Sequence, residues 1–249
     1  GDIPTILQRI VFLFIPDNKE AKEQVLTHSK DFIHLHFPLQ IHDEKGRIIS
    51  LIGPVENDLE GRIVKNISDG MYISSIFLTW VIEEAIKKKK LAVDDIMNLI
   101  SESPAFEHDR LEILKNGIES YFNGNYISSI HILIPQFEEA IRHLLELSGE
   151  FIMKPTVEGN YDFRTLGSLL SSGILHEILG EDIVNYFKIL YNDKKGWNLR
   201  NNICHGIISP KFMTRREADR VFHTILTLAQ VKPINKTDTP TTNEKIPQI

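Results

Sequence analysis

One stretch of this chain is supplied for chemistry: Trp197-Asn198-Leu199-Arg200-Asn201-Asn202-Ile203-Cys204-His205-Gly206. It reads Arg-Asn, three residues, then His, and closes on glycine. Arg presents a planar fork of donors that suits a phosphate. His titrates near neutral pH and can give or take a proton. Together they supply charge stabilisation and acid–base work, two parts of a metal-free phosphodiester cleavage site.

Helical geometry sharpens this reading. Residues four apart on a helix share a face, so the Asn201 amide can sit beside the His205 imidazole and orient it. Arg200 and His205 are five apart and splay by roughly 140° at ~100° per residue. A compact site is easier to build where two such helices meet, which points to a dimer with a shared cleft. Lys194 and Lys195 put positive charge just upstream, where an anionic substrate would favour it. The plainer reading is a helix whose Arg makes a surface ion pair and whose His caps the last turn before Gly206. The pattern RNxxxH occurs by chance in about one chain in a hundred of this length. Cys204, the single cysteine, invites a nucleophile reading, but a small buried thiol is the commoner role.

Three other groups carry lesser signals. His34 and His36 alternate, so on a strand they would share a face and could chelate a metal, with His42 nearby. No Cys or carboxylate at matched spacing completes that site, and ordinary edge histidines are the simpler expectation, so no metal or other cofactor is expected. Lys87-Lys88-Lys89-Lys90 reads as a solvated helix end that complements the dipole, with an RNA-contacting patch as the sharper alternative. Glu138 and Arg142, four apart, are expected to pair on a helix surface, or else to support Arg200.

The elements that position these residues are mostly helical. Ile3, Ile6, Leu7, Ile10, Val11 and Phe14 have helical spacing up to Pro16, and 18–31 reads as a second, surface helix. Residues 37–42 and 47–52, joined by Asp43-Glu44-Lys45-Gly46, read as a β-hairpin, the one clear strand signal. From residue 70 onward the chain reads as helices. Met71 to Lys90 has Ile73, Ile76, Phe77 and Trp80 on one face. Short helices follow over 93–101 and 106–122. Tyr126 to Leu147 has the strongest period, with Pro135 inside predicting a kink or bulge. Residues 148–164 read as a loop. Helices over 165–172 and 181–191 follow, then the motif helix. Thr214 and Glu217 form a capping box that opens a final helix through Ala229. These signals give three regions: 1–69 with N-terminal helices and the hairpin, a helical domain over 70–231, and a disordered tail over 232–249.

Composition narrows the class. Of 249 residues, 42% are hydrophobic and 25% charged, ordinary for a soluble globular protein. The net charge of −6 is unlike that of a protein that coats long nucleic acid, so any RNA site should be local. One cysteine rules out an internal disulfide framework and fits a reducing cytoplasm. No apolar run reaches the ~18 residues that span a membrane, so no membrane partner is expected. Gly1 in place of Met leads us to expect processing or further residues upstream.

With the motif in place, the segment "ILGEDIVNYFKILYNDKKGWNLRNNICHGII" (178–208) resembles the HEPN superfamily, within it the domain family of uncharacterised function marked by RNxxxH. The helix "YISSIHILIPQFEEAIRHLLE" (126–146) resembles the helix that precedes the motif there. The resemblance covers about 106–230, is closest over 165–208, and does not extend to 1–70. It implies a mainly α, HEPN-like helical bundle, usually dimeric, with metal-independent endoribonuclease activity in active members. Carried over, Arg200 would stabilise charge on the scissile phosphate, His205 would act on the 2′-hydroxyl or the leaving oxygen, and Asn201 would orient them. The implied products are a 2′,3′-cyclic phosphate and a free 5′-hydroxyl. Many such proteins are toxins or phage-defence effectors, which implies a cognate antitoxin or inhibitor. The alternative is a non-catalytic dimerisation or nucleotide- or RNA-binding module, which the acidic charge favours.

Overall fold

Tyr126–Leu147, the segment of strongest period, forms one uninterrupted helix that continues through Pro135. Ile130, Leu133, Ile134, Phe137, Ile141, Leu144 and Leu145 are all buried, as a stripe at three-and-four spacing requires. In this computed structural model, which describes residues 2–233, the chain is mainly α. The described residues divide into two packed units.

One unit takes Leu78–Gly180 with the stretch up to Leu13 and the stretch from Pro210. Its centre is α6 (Tyr126–Leu147), packed against α5 (Leu111–Phe122) and α11 (Arg215–Leu228). α4 (Val93–Glu102) lies on α5, while α7 (Leu166–Leu169) and α8 (Gly173–Leu179) lie on α6. α1 (Ile3–Phe14) buries Leu7, Ile10 and Val11. Residues 148–164, expected as loop, contain a second small antiparallel hairpin, β3 (Met153–Pro155) with β4 (Tyr161–Phe163). Its strands are three residues long, too short for alternation to stand out in the sequence. Glu138 and Arg142 do pair, at 3.4 Å, and Arg142 also binds Glu139; all three side chains are largely sheltered rather than out on the surface.

α11 is unusual for its setting. Val221, Phe222, Ile225 and Leu228 are buried, and so are Glu217, Asp219, Arg220, His223, Thr224 and Thr227. Buried polar groups are as a rule hydrogen-bonded, and Glu217, Asp219, His223, Thr224 and Thr227 are. Glu217 accepts from the Thr214 N–H at 2.9 Å and from its hydroxyl, the expected capping box. Thr224 and Thr227 hydroxyls donate to the carbonyls of Val221 and His223. Asp219 accepts from the Tyr121 hydroxyl at 2.5 Å and from the Thr79 hydroxyl. Tyr121 also stacks on Phe222, with ring centroids 4.4 Å apart.

The other unit spans Phe14–Phe77 and Glu181–Ser209. It holds α2 (Asn18–Asp31), a 3-10 turn (Ile33–His36), the hairpin β1 (Leu39–His42) with β2 (Ile48–Ile52), α9 (Glu181–Tyr191) and α10 (Leu199–Cys204). The hairpin is antiparallel, with Leu39 opposite Ile52. α2 packs beside α9, where Asp182 accepts the Asn18 N–H at 3.0 Å. His34 and His36 therefore lie in a 3-10 turn and not on a strand. Both ring nitrogens of His36 are engaged, Nε2 donating to the Ser29 carbonyl at 2.7 Å and Nδ1 to Glu56. These two acceptors favour the protonated ring and raise its pKa, the Ser29 carbonyl first and Glu56 second. Among the described residues, no cluster of three or more His, Cys, Asp or Glu is placed to hold a metal ion.

One helix, α3 (Leu59–Lys89), contributes to both units. It starts before residue 70, so the domain boundary expected at 69/70 falls inside it. Ile73, Ile76, Phe77 and Trp80 do share a face, but that face is exposed. The buried stripe runs through Val64, Ile67, Ser68, Met71, Ser75, Leu78, Ile82 and Ala85. Ser75 can turn inward because its hydroxyl donates to the Met71 carbonyl at 2.7 Å. Lys87 and Lys88 pair with Glu83 and Glu84 one turn back, as a solvated helix end would. The tail expected from residue 232 lies, beyond Pro233, outside the described residues. Among those described, no helix is long and apolar enough to cross a membrane.

The enclosure of His223 has a measurable consequence. Its Nε2 donates to the Val11 carbonyl at 3.1 Å, and burial, with Arg220 nearby, lowers its pKa to about 3. The unfolded ring titrates near 6.5. Between these values the unfolded chain binds the extra proton, so stability falls as pH drops from about 6.5 towards 3, by up to about 1.4 kcal/mol per pH unit from this group. Urea unfolding from pH 7 to pH 4 should show this slope, and His223→Gln, which keeps a donor but does not titrate, should flatten it.

Candidate active site on a capped six-residue helix

The motif helix α10 is short, Leu199–Cys204, and packs on α9 with Leu199 and Ile203 buried. Six residues do not hold a helix unaided, so its ends explain it. At the start, Asn198 takes a left-handed conformation with φ 50°. Asn tolerates this better than most residues because its short amide bonds locally. Asn198 Oδ1 accepts from the Asn201 amide at 2.7 Å, and the Asn202 amide donates to the Trp197 carbonyl at 3.3 Å.

At the other end, the Gly206 N–H donates to Ile203 at 3.0 Å and the Ile207 N–H to Asn202 at 2.8 Å. This is a complete Schellman cap, and Gly206, at φ 62°, supplies the left-handed residue it needs. His205 is thus the C-cap residue, with its N–H on the Asn201 carbonyl at 3.2 Å. The capping role expected in the plainer reading is therefore real, and it leaves the imidazole exposed at the helix end.

The site residues now have definite settings. Arg200 is half-exposed in the first turn. Asn201 is also half-buried, and its amide nitrogen points back to Asn198 rather than forward to His205. Side chains on a helix lean towards its N-terminus, which accounts for that direction. Cys204 is exposed, not buried as a small core thiol would be; only Leu199 and Ile203 use the inward face of so short a helix. Lys194 is exposed. Lys195 is largely sheltered, and its ammonium lies 2.9 Å from Asp58.

Asp58 is the residue that sequence reading missed. It caps α3, with Oδ1 accepting the Gly61 N–H at 2.9 Å, and Oδ2 accepts the Gly53 N–H at 3.0 Å just after β2. Burial alone would raise its pKa; the Lys195 ammonium and the Gly53 and Gly61 N–H groups outweigh this, and the carboxyl sits below its ordinary range. A β-carbon at Gly61 would fall 2.4 Å from Asp58 and 2.5 Å from Lys195, so the pair requires glycine there. The available signal was an Asp directly before a helix start that lies upstream of the strongest apolar run.

Neighbouring contacts complete the support. Trp197 N–H donates to the Ile189 carbonyl at 2.9 Å, and its indole N–H to the Ser68 carbonyl at 3.2 Å. Tyr72 meets the Trp197 ring edge-on. Arg62, buried under the hairpin, donates to the carbonyls of Gly53 and Phe37. Beyond the motif, the Ser209 N–H donates to Glu44 in the hairpin turn at 3.1 Å. Arg200 and His205 are thereby presented from one short helix whose register is set at both ends. Compared with known proteins, the chain matches no family model, no curated protein and no solved structure.

Asp58→Ala removes a helix cap and leaves Lys195 and Gly53 without their acceptor. It should lower stability by about 2 kcal/mol. Gly61→Val should cost at least as much, by forcing the Asp58–Lys195 pair apart. Thermal or urea unfolding of both variants checks this, and Lys194→Ala, on the exposed neighbour, should change little.

Proposed function

We propose that this protein is a metal-independent endoribonuclease of HEPN type, acting through Arg200 and His205 at a cleft shared by two copies of the chain. The observation that carries the reading is the intact Arg-Asn-x-x-x-His set on a short helix closed by a Schellman cap, with the His205 ring exposed and Arg200 half-exposed. The RNA 2′-hydroxyl attacks the adjacent phosphorus, a 2′-O–P bond forms and the P–O5′ bond breaks. His205 takes the 2′-hydroxyl proton or protonates the leaving 5′-oxygen, and Arg200 stabilises the charge that grows on the phosphate. The products are a 2′,3′-cyclic phosphate and a 5′-hydroxyl, and the need for a 2′-hydroxyl restricts the substrate to RNA. Asn201 orients the pair through the turn it shares with Asn198. Lys194 is the better placed of the two upstream lysines to meet RNA, since Lys195 is engaged by Asp58.

A dimer belongs to this reading because one helix splays Arg200 from His205. The unit that carries the motif also exposes Ile73, Ile76 and Phe77 on one face of α3, apolar surface of the kind a second copy covers. A cytoplasmic toxin or phage-defence role, with a cognate antitoxin or inhibitor, follows from the same resemblance. The second reading is a non-catalytic dimerisation or nucleotide- or RNA-binding module. The net charge of −6 and the engagement of the Asn201 amide by Asn198 favour it.

Purified protein incubated in EDTA with a mixed tRNA and single-stranded RNA pool should cleave it and leave cyclic phosphate ends. Arg200→Ala and His205→Ala, at matched folding, should each lose on the order of 10²-fold or more in rate. Equal cleavage by all three proteins would remove the motif from the reaction, and binding without cleavage would favour the second reading. Light scattering at micromolar concentration should give a dimer for the wild type and a monomer for Phe77→Glu. A wild-type monomer would sink the shared cleft.

A further inference from the structure

A cavity of about 340 Å³ opens where α3, α5, α6 and α11 end or begin, wholly within the unit that lacks the motif. Its size falls in the range of small-molecule sites, roughly 300–1,000 Å³. Glu83 and Lys87 line it from α3, Phe122 from α5, Tyr126 from α6 and Arg215 from α11.

The charges are arranged, not scattered. Glu83 bridges two cations, with Oε2 3.0 Å from the Lys87 ammonium and Oε1 bound to Arg215 Nη1. This holds both positive groups at one wall. Beneath them Asp219 is fully enclosed and lies 3.7 Å from Arg215 Nε, which fixes the guanidinium in place. Arg215 uses one nitrogen of its fork in a hydrogen bond. Nε is buried and faces Asp219 beyond hydrogen-bond range, while the Arg215 side chain as a whole is 31% exposed. A guanidinium held in place yet partly exposed keeps donors that can meet an anion.

The lining residues Lys87, Arg215 and Glu83 carry one net positive charge at the open face, with Asp219 enclosed beneath Arg215. The rings of Phe122 and Tyr126 line the same cavity. A flat apolar body with one negative end matches both kinds of lining.

We propose that this cavity binds a small aromatic anion, its carboxylate or phosphate taken by Arg215 and Lys87 and its ring laid against Tyr126 and Phe122. The site is separate in sequence and in chemistry from Arg200 and His205, so its ligand is a regulator or a second substrate and not the RNA phosphate at the motif.

Calorimetric titration of the full chain, with no RNA present, tests this apart from cleavage. The probes are phenyl phosphate, benzoate, inorganic phosphate and benzyl alcohol. One or both aromatic anions should bind, and which of them does so tells phosphate from carboxylate. Inorganic phosphate should bind more weakly for want of a ring. Arg215→Lys should weaken the aromatic anion about tenfold. Lys87→Gln, at an exposed side chain that leaves the fold intact, should weaken it about threefold. No binding by either aromatic anion, equal binding of benzyl alcohol, or unchanged affinity in both variants would overturn the proposal.

Discussion

The Asp58 carboxylate does three things at once. It caps the first turn of α3, holds the Gly53 N–H where β2 ends, and pairs with Lys195 two residues before Trp197. A half-sheltered carboxylate pays a desolvation cost, and here two N–H groups and an ammonium offset it. The helix start, the hairpin end and the approach to the motif are thereby tied to one side chain. Arg62 reinforces the hairpin side through the Gly53 and Phe37 carbonyls, and Trp197 reinforces the motif side through Ser68. A six-residue helix such as α10 has little stability of its own, so its geometry is borrowed from these neighbours.

The second unit solves a different problem. α11 is enclosed along most of its length yet has many polar residues, which is costly unless each finds a partner. The partners come from several elements: Tyr121 and Thr79 for Asp219, the Val11 carbonyl for His223, and the helix's own carbonyls for Thr224 and Thr227. Such a network accepts few substitutions, because removing one partner strands another. It also sets Arg215 at the rim of a cavity, over a buried carboxylate.

The acidic balance of the chain and the basic motif are compatible once charges are placed. Lys195 is committed to Asp58, while Lys87 and Lys88 are answered by glutamates one turn back. Lys194 is exposed beside α10, and Arg215 stands beside its cavity, held by Glu83. α3 also carries an exposed apolar face of Ile73, Ile76, Phe77 and Trp80.

Much of this protein was legible in the sequence because amphipathic period and capping are local codes. The long period of α6, the Thr214–Glu217 capping box, the hairpin around Gly46, and the Arg-Asn-x-x-x-His stretch closing at Gly206 all come from residues a few positions apart. What tertiary structure decided was partnership at a distance. Lys195 reads as a free cation until Asp58, 137 positions away, takes it. The inward face of α3 includes Ser68 and Ser75, which a search for apolar residues passes over, while Ile73, Ile76, Phe77 and Trp80 face out. Asn201 is spaced to reach His205 yet turns to Asn198, because helical side chains lean towards the N-terminus. His223 and Asp219 look like surface residues of an amphipathic helix until packing on every side encloses them. Spacing along the chain determines which residues share a face, whereas only the neighbouring elements determine whether that face meets water, a core or a charge.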